Sequence, residues 1–595
     1  MLKGLRLLFK EEVFILICLF TITLLGLAPI LMELLKFTPP DRVFTFAHNY
    51  MADYYQYLSW MKDGADGKIL LTSRFSSDLF PRQPVYLFYS VWGFIWSKAN
   101  LSLYLGYTFI RIVFSISKLL VIYLLIAELF KKANWRKFTF AIVVFLPAFY
   151  NLLPLGLWLE RISSVDVLQR TFFIPHDLAT ACLLMLGSIY LSRFVSQDKQ
   201  KDATLPVYRQ AGISLWPFRF EIPKEKKRDC RGPIGSDLAK TDSLQRGRLT
   251  RLIEKFEITK SSKKYLIYTA ICFFLASITN PSHLLIFYLF VGAGLALQLL
   301  LQPRTFTTIF TAGIVSLIAG LPLIIYYQHL FATVQPFVWM FAQQKGVSLN
   351  ISFWQYLISL GPVLIFFLFG VSNFSKQKSL LPKIIVAWAI IPFVLYPFLG
   401  KIIPISQERI FEMSHFIPLG ILAGAGIGEI WRKIPGRKGT IGIIGVIGVI
   451  IFCVLYYYTA EKFQIEMFKP AYFNFYVPKS TIQAYQWLDA NSPDESVVAT
   501  SYFSGNMLPA WSHNRVVHGH DFVTYQSTQR LAEINALFNQ VTPISQIVDI
   551  LNKERVSYIL FTPETPHFEA TNLSLLKNLQ LVFKNEGNLV FEYRK

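Results

Sequence analysis

Between the first long apolar run and the next, MADYYQYLSWMKDGADGK (51–68) sets Asp53, Asp63 and Asp66 among Tyr and Trp side chains, with Arg74 and Arg82 following. A carboxylate can take the proton of an attacking hydroxyl, and guanidinium groups pair well with phosphate oxygens. Asp53 can do such work or simply cap the helix YYQYLSWM. Asp63 and Asp66, in KDGADGK, read as solvent-facing turn residues. DGADG lacks the remaining ligands of a calcium loop.

Other candidates sit in later polar segments. In LWLERISSVDVLQRTFFIPHD (157–177), Glu160 and Arg170 have the chemistry to meet sugar or phosphate, or to join Arg161 and Asp166 in ion pairs. His176 and Asp177 begin an apolar run, where ionisable residues tend to be functional, although a helix cap also accounts for Asp177. His283, in TNPSHLL, sits where two apolar runs meet and lines a phosphate path or simply satisfies a turn. Arg409, Glu412 and His415 recur at helical spacing, giving a phosphate-binding Arg held by Glu, or an isolated ion pair. HNRVVHGHD in the tail offers His513, His518, His520 and Asp521. H-x-H-D can bind metal, but no second ligand set accompanies it and Gly519 argues for a tight turn, so the segment reads as a loop facing the membrane that helps form an acceptor groove. No metal site and no cofactor is assigned, and a divalent ion is not indicated.

The elements that must position these residues are mostly helices in lipid. The chain has 595 residues, 53% hydrophobic and 16% charged, too apolar for an ordinary soluble protein of this size. Its first apolar run, VFILICLFTITLLGLAPIL, is long enough to span and reads as an uncleaved helix. Expected spans are 13–35, 103–130, 138–156, 177–194, 265–281, 283–301, 306–328, 353–371, 384–399, 414–431 and 440–459. The apolar segment 84–97 is too short to cross and reads as re-entrant or interfacial, with Trp92 and Trp96 at headgroup depth. The net charge of +21 suits topology better than nucleic acid. With eleven spans, the basic runs KKANWRK (131–137), Arg193 to Lys264, 303–305, 376–378 and 432–438 share one side with Lys3, Arg6 and Lys10. That side is then cytoplasmic, and every candidate above falls on the opposite face. The stretch 195–264 lacks a sustained apolar period and reads as a solvated cytoplasmic insertion. Four of the five cysteines lie in apolar spans and Cys230 in the basic stretch, so no disulfide framework is implied. From about Tyr476 the pattern changes to STIQAYQWLDANS and PISQIVDILNKE as amphipathic helices, with SVVAT and VSYILF as buried strands.

An Asp in a first loop, an aromatic interfacial helix, many further spans and a C-terminal α/β unit resemble the GT-C superfamily of polyprenyl-phosphate-dependent glycosyltransferases. ERIFEMSHFIPLGILAGAGIG and YFSGNMLPAWSHNRVVHGHD look like its prokaryotic, uncharacterised branch. The resemblance excludes 195–264. It implies that Asp53 acts as base or orients the acceptor, and that the partners are a polyprenyl-phosphate-linked sugar, a glycan, lipid or protein acceptor, and the bilayer. Two departures stand out. Asp53 is followed by Tyr54 and Tyr55 where many members have an adjacent acidic pair, and a WWD signature is absent, Trp487 and Asp489 being separated by Leu488. Transfer of a preassembled glycan to Asn is therefore disfavoured. The fold expected is a polytopic α-helical membrane protein of about 11 spans, with a transmembrane domain over 1–460, a first external loop at 37–102 and an extracytoplasmic α/β domain over 461–595. The function expected is inverting sugar transfer at the external face. Alternatives are a flippase for lipid-linked saccharides and a non-catalytic envelope assembly protein.

Overall fold

The computed structural model describes residues 2–47, 51–145, 172–203, 260–346, 352–398, 414–433 and 475–594, with scattered helical positions at 409, 448, 451, 453–455 and 458. Most of the expected span 440–459, most of the insertion 195–264, the second half of the span 138–156 and the boundary near 460 lie outside these residues. Among those described, six helices are long and apolar enough to cross a membrane: Val13–Phe37, Leu103–Leu129, Pro175–Gln197, Pro281–Leu301, Phe306–Thr333 and Leu380–Phe398.

Two other expected spans appear as the helices Lys260–Thr279 and Phe416–Lys433. The expected span 353–371 is broken. A capping box of Ser352 and Gln355 starts Phe353–Ser359, then Gly361 at φ 63° turns the chain and Pro362 opens Pro362–Ser375. Only Gly takes that φ freely, and a Pro in the first helical turn loses no hydrogen bond, so the pair ends one helix and starts the next. Pro362–Ser375 lies close against Phe416–Lys433, because a Cβ at Gly370 would fall 2.0 Å from the Leu422 carbonyl oxygen. Small residues allow such approach where apolar burial gives no drive in lipid.

The polar half of the molecule is built from both ends of the sequence. After β1 (Arg42–Phe44), the first loop forms helices α2 (Met51–Ala65) and α3 (Leu87–Ser97), the second covering part of the short apolar segment 84–97. β1 pairs antiparallel with β2 (Tyr476–Pro478), setting Phe44 against Tyr476. The tail then forms a five-stranded sheet in the order β4-β3-β5-β7-β6, where the strands are β3 (Val497–Ala499), β4 (Arg515–Val516), β5 (Val556–Phe561), β6 (Leu579–Asn585) and β7 (Asn588–Tyr593). β3 runs parallel to β4 and β5, and β7 antiparallel to β5 and β6.

Strand residues alternate between faces, and here the two faces serve different cores. Val498, Tyr558, Leu560 and Val590 join Tyr54, Tyr55, Met61, Phe75 and Tyr89 of the first loop in one apolar cluster. Val497, Ala499, Ile559 and Phe561 face the other way, onto Ile534, Leu537, Ile547 and Leu551 of two tail helices. The first loop is thus one wall of the tail's core.

The helices α2 and α3 touch through glycine. A Cβ on Gly64 would lie 1.9 Å from the Ser90 carbonyl oxygen, and one on Gly93 would lie 2.0 Å from that of Met61. Gly93→Ala is expected to lower stability by about 1–3 kcal/mol, the usual cost of overpacking, despite the better helix propensity of Ala. Thermal unfolding of the purified protein in lipid checks this: an unchanged midpoint would mean the two helices move apart freely.

Candidate active site

Asp53 occupies the first turn of α2, where the positive end of the helix dipole favours a carboxylate. Its Oδ1 lies 2.8 Å from Nε2 of His520, a tail residue. The Asp53 side chain keeps a third of its surface open while that of His520 keeps 2%. The H-x-H-D loop therefore reaches the first-loop carboxylate.

Around Asp53 is a wall of rings. Tyr57 stacks on Tyr89 at 4.5 Å, Trp60 stacks on Tyr86 at 4.0 Å, and Tyr54 meets Tyr107 edge-on at 4.9 Å. Tyr54, Tyr57, Trp60, Tyr89 and Tyr107 are buried, so their faces pack on one another and fix the ground on which Asp53 stands. Burial raises the Tyr57 hydroxyl well above its ordinary range, and the Asp53 and Asp177 carboxylates add to the shift. Burial also pushes Tyr86 up to about 12, with Arg409 opposing and Asp53 and Asp177 adding. Both tyrosines thus feel both carboxylates, and Arg409 lies within electrostatic reach of the same wall.

Asp177 is buried at the start of the helix Pro175–Ala203. Asn280 Nδ2 donates to its Oδ1 at 2.9 Å, while His176 Nε2 and His283 Nδ1 each stand 3.4 Å from that oxygen. The Tyr89 hydroxyl lies 2.7 Å from His176 Nδ1, which joins this cluster to the ring wall. The Asn280 side chain also caps the helix Pro281–Leu301 by accepting from the His283 N–H. His176, Asp177 and His283, far apart in sequence, thus converge.

Arg111 was hidden inside an expected span. It is 2% exposed, and its guanidinium sits over Tyr107 at 5.3 Å and Phe172 at 5.0 Å. Among the described residues, Nε and Nη1 have no hydrogen-bond partner and no carboxylate pairs with the group. The signal available in sequence was an Arg within an apolar helix, which lipid tolerates only for a purpose.

Other candidates lie elsewhere. Arg74, expected at the phosphate, is 2% exposed and committed: Nη2 donates to the Ser59 carbonyl at 2.7 Å, Nη1 donates to the Ser512 carbonyl, and Nε faces Asp63 at 3.4 Å. Asp63, read as a solvent-facing turn residue, is instead in α2 and 4% exposed. Burial raises its carboxyl above the usual range, with Arg74 as the largest opposing influence. Asp66 does take an exposed ion pair, with Lys62 at 2.8 Å. Arg82 pairs with Glu495 at the tail surface. His415 is buried between Tyr356 and the Ala389 carbonyl, away from Asp53. Glu160, Arg170 and Glu412 lie outside the described residues. Among the described residues no group of three His, Cys, Asp or Glu side chains is arranged to hold a metal ion.

Comparison with solved structures finds several that this chain is similar to. An oligosaccharyltransferase of Archaeoglobus fulgidus, tethered to an acceptor peptide containing the NVT sequon, aligns over 92% of this chain and 68% of its own at 13% identity and a TM-score of 0.48. The Archaeoglobus fulgidus oligosaccharyltransferase AglB, in complex with an inhibitory peptide and a dolichol-phosphate, covers 92% and 69% at 13% identity and 0.46. ArnT of Cupriavidus metallidurans, bound to undecaprenyl phosphate, covers 98% of each chain at 11% identity and 0.49. Neither protein-family models nor curated proteins give a match.

The same tail loop supplies a pH-sensitive group. His518 is fully buried, with Nε2 2.9 Å from the Ser527 hydroxyl. Burial lowers it to about 4, with His520 and Arg530 adding and Asp521 opposing. The unfolded chain takes up this proton near pH 6.5 and the folded one only near 4. The stabilisation is therefore complete above the unfolded value and is lost as the pH falls through that window. Unfolding midpoints between pH 7 and 4 should fall more steeply for wild type than for His518→Gln. Parallel curves would remove the assignment, and the difference isolates His518 from His513, which Asp489 raises.

Proposed function

We propose that this chain is a glycosyltransferase of the GT-C type, moving a sugar from a polyprenyl-phosphate donor to a hydroxyl on an envelope glycan, lipid or protein. The observation that carries the reading is the partly open Asp53 carboxylate at a cluster of buried rings that it shares electrostatically with Asp177, with the Arg111 guanidinium over one of those rings. It combines a partly open carboxylate, a second, buried carboxylate and a desolvated cation.

In this mechanism Asp53 accepts the proton of the acceptor hydroxyl as the oxygen attacks the anomeric carbon. The carbon–oxygen bond to phosphate breaks, its electron pair leaves on the phosphate oxygen, and configuration inverts. Arg111, with Arg409, neutralises that charge in a medium where water is excluded. The Asp177 cluster orients sugar hydroxyls through Asn280, His176 and His283. The site faces outward, with the N-terminus cytoplasmic and the tail outside, on the evidence of the basic runs.

Purified wild type, Asp53→Asn and Arg111→Gln, supplied in lipid with a panel of polyprenyl-phosphate sugars and envelope acceptors, should differ by mass spectrometry. Asp53→Asn is expected to lose about 10²–10⁴-fold in kcat, and Arg111→Gln about 10²-fold. Equal turnover in Asp53→Asn and wild type removes Asp53 from the mechanism, and translocation without transfer favours a flippase.

Orientation has its own test. In intact cells an impermeant thiol reagent should label Asp66→Cys and spare Lys240→Cys; the reverse pattern overturns the placement.

A further inference from the structure

His520 and Asp53 are 467 positions apart in the chain, yet they share a 2.8 Å hydrogen bond. The direction of that bond is settled by the other ring nitrogen. The Phe522 backbone N–H donates to His520 Nδ1 at 3.1 Å, so Nδ1 carries no proton and the neutral ring holds its proton on Nε2. Nε2–H therefore donates to Asp53 Oδ1. The tail backbone, not the carboxylate, chooses the tautomer.

The ring is held on several sides. Phe75 and Phe522 pack against it at 6.3 and 5.8 Å, and the Val523 and Thr524 backbone N–H groups donate to the His520 carbonyl at 3.2 and 2.9 Å. The Thr524 hydroxyl donates to the Phe75 carbonyl at 2.7 Å, fastening this loop to the first loop. Preceding His520, Gly519 passes so near the Gly505 carbonyl oxygen that a Cβ would stand 2.6 Å from it. No larger residue lets the loop approach to this depth. Among the described residues, Asp53 Oδ2 has no protein partner.

We infer that His520 is a positioning residue: its Nε2–H ties Oδ1 of Asp53, fixes the carboxylate rotamer and leaves Oδ2 as the oxygen that meets the acceptor hydroxyl. This rests on the reading of Asp53 as the base. The tail domain then does more than bind acceptor, because the base is set only while the tail is seated on the first loop. Because His520 acts through Asp53, its removal is expected to slow the chemical step rather than weaken donor binding.

The test uses the full-length protein in lipid with His520→Ala, His520→Gln, Asp53→Asn and the double variant Asp53→Asn/His520→Ala. Gln places an amide N–H near the position of Nε2, whereas Ala removes the donor. His520→Ala should lose about 10–100-fold in kcat, the usual loss for a partner that orients a reacting group, with KM for the donor lipid within about twofold. His520→Gln should recover most of that loss, and the double variant should be no slower than Asp53→Asn alone. A ¹⁵N-histidine spectrum of wild type, assigned by difference from His520→Gln, should show His520 as the neutral ring protonated on Nε2.

Full activity in His520→Ala, equal inactivity of the Ala and Gln variants, or a ring protonated on Nδ1 overturns the inference and leaves Asp53 standing if Asp53→Asn is inactive. Full activity in Asp53→Asn, or no transfer by wild type from any donor, overturns the reading of the site and the inference with it.

Discussion

A guanidinium buried to 2% exposure governs how the polar half of this molecule is assembled. Arg74 cannot be left without partners in such a setting, since an unpaired buried charge costs several kcal/mol (about 3–5 when a partner is lost). Its three partners come from two places at once: Asp63 and Ser59 on α2, and the Ser512 carbonyl in the tail. Satisfying it therefore requires the tail to sit on the first loop in one register. The neighbouring backbone follows, as Val516 N–H donates to the Arg74 carbonyl and Ser76 bridges to His518. That register carries His520 to Asp53.

Electrostatic order and apolar packing agree here. The sheet gives one face to the first-loop rings and the other to the tail helices, so neither the loop nor the tail has a complete core alone. The salt bridges at the rim, Lys68 with Asp494 and Arg82 with Glu495, are exposed enough to add little energy, but they repeat the same alignment. The polar half is thus a junction between an apolar helix bearing Arg111, a first-loop helix bearing Asp53 and a tail loop bearing His520.

Much of this was legible from residue pattern. Apolar runs located six long helices, the short apolar runs SVVAT and VSYILF located two of the tail strands, and the family resemblance singled out Asp53. What could not be read was pairing across distance. Asp63 looked like a turn residue because DGADG is turn-like locally; only the arrival of Arg74 and the tail turns it inward. Arg74 looked available for phosphate for the same reason. Arg111 was absorbed into an apolar run, where one charge barely changes a hydropathy average, and His520 was one of several histidines in a loop whose members turn to different partners: Asp489 for His513, Ser527 for His518 and Asp53 for His520. The break at Gly361–Pro362 was visible in the letters, but the surrounding apolarity hid it.

The antiparallel pairing of β1 with β2 joins residues near 43 to residues near 477. A ribosome feeding this chain into a bilayer must therefore deliver nearly the whole helical bundle before the strand that β1 awaits exists. Until then the first loop stands with its rings and its buried arginine uncovered, and non-local closure of this kind is slow. Sealing the last part of the tail onto the first loop is what ends that exposed interval, so the order of synthesis itself keeps Asp53 without its His520 partner until the bundle is in place.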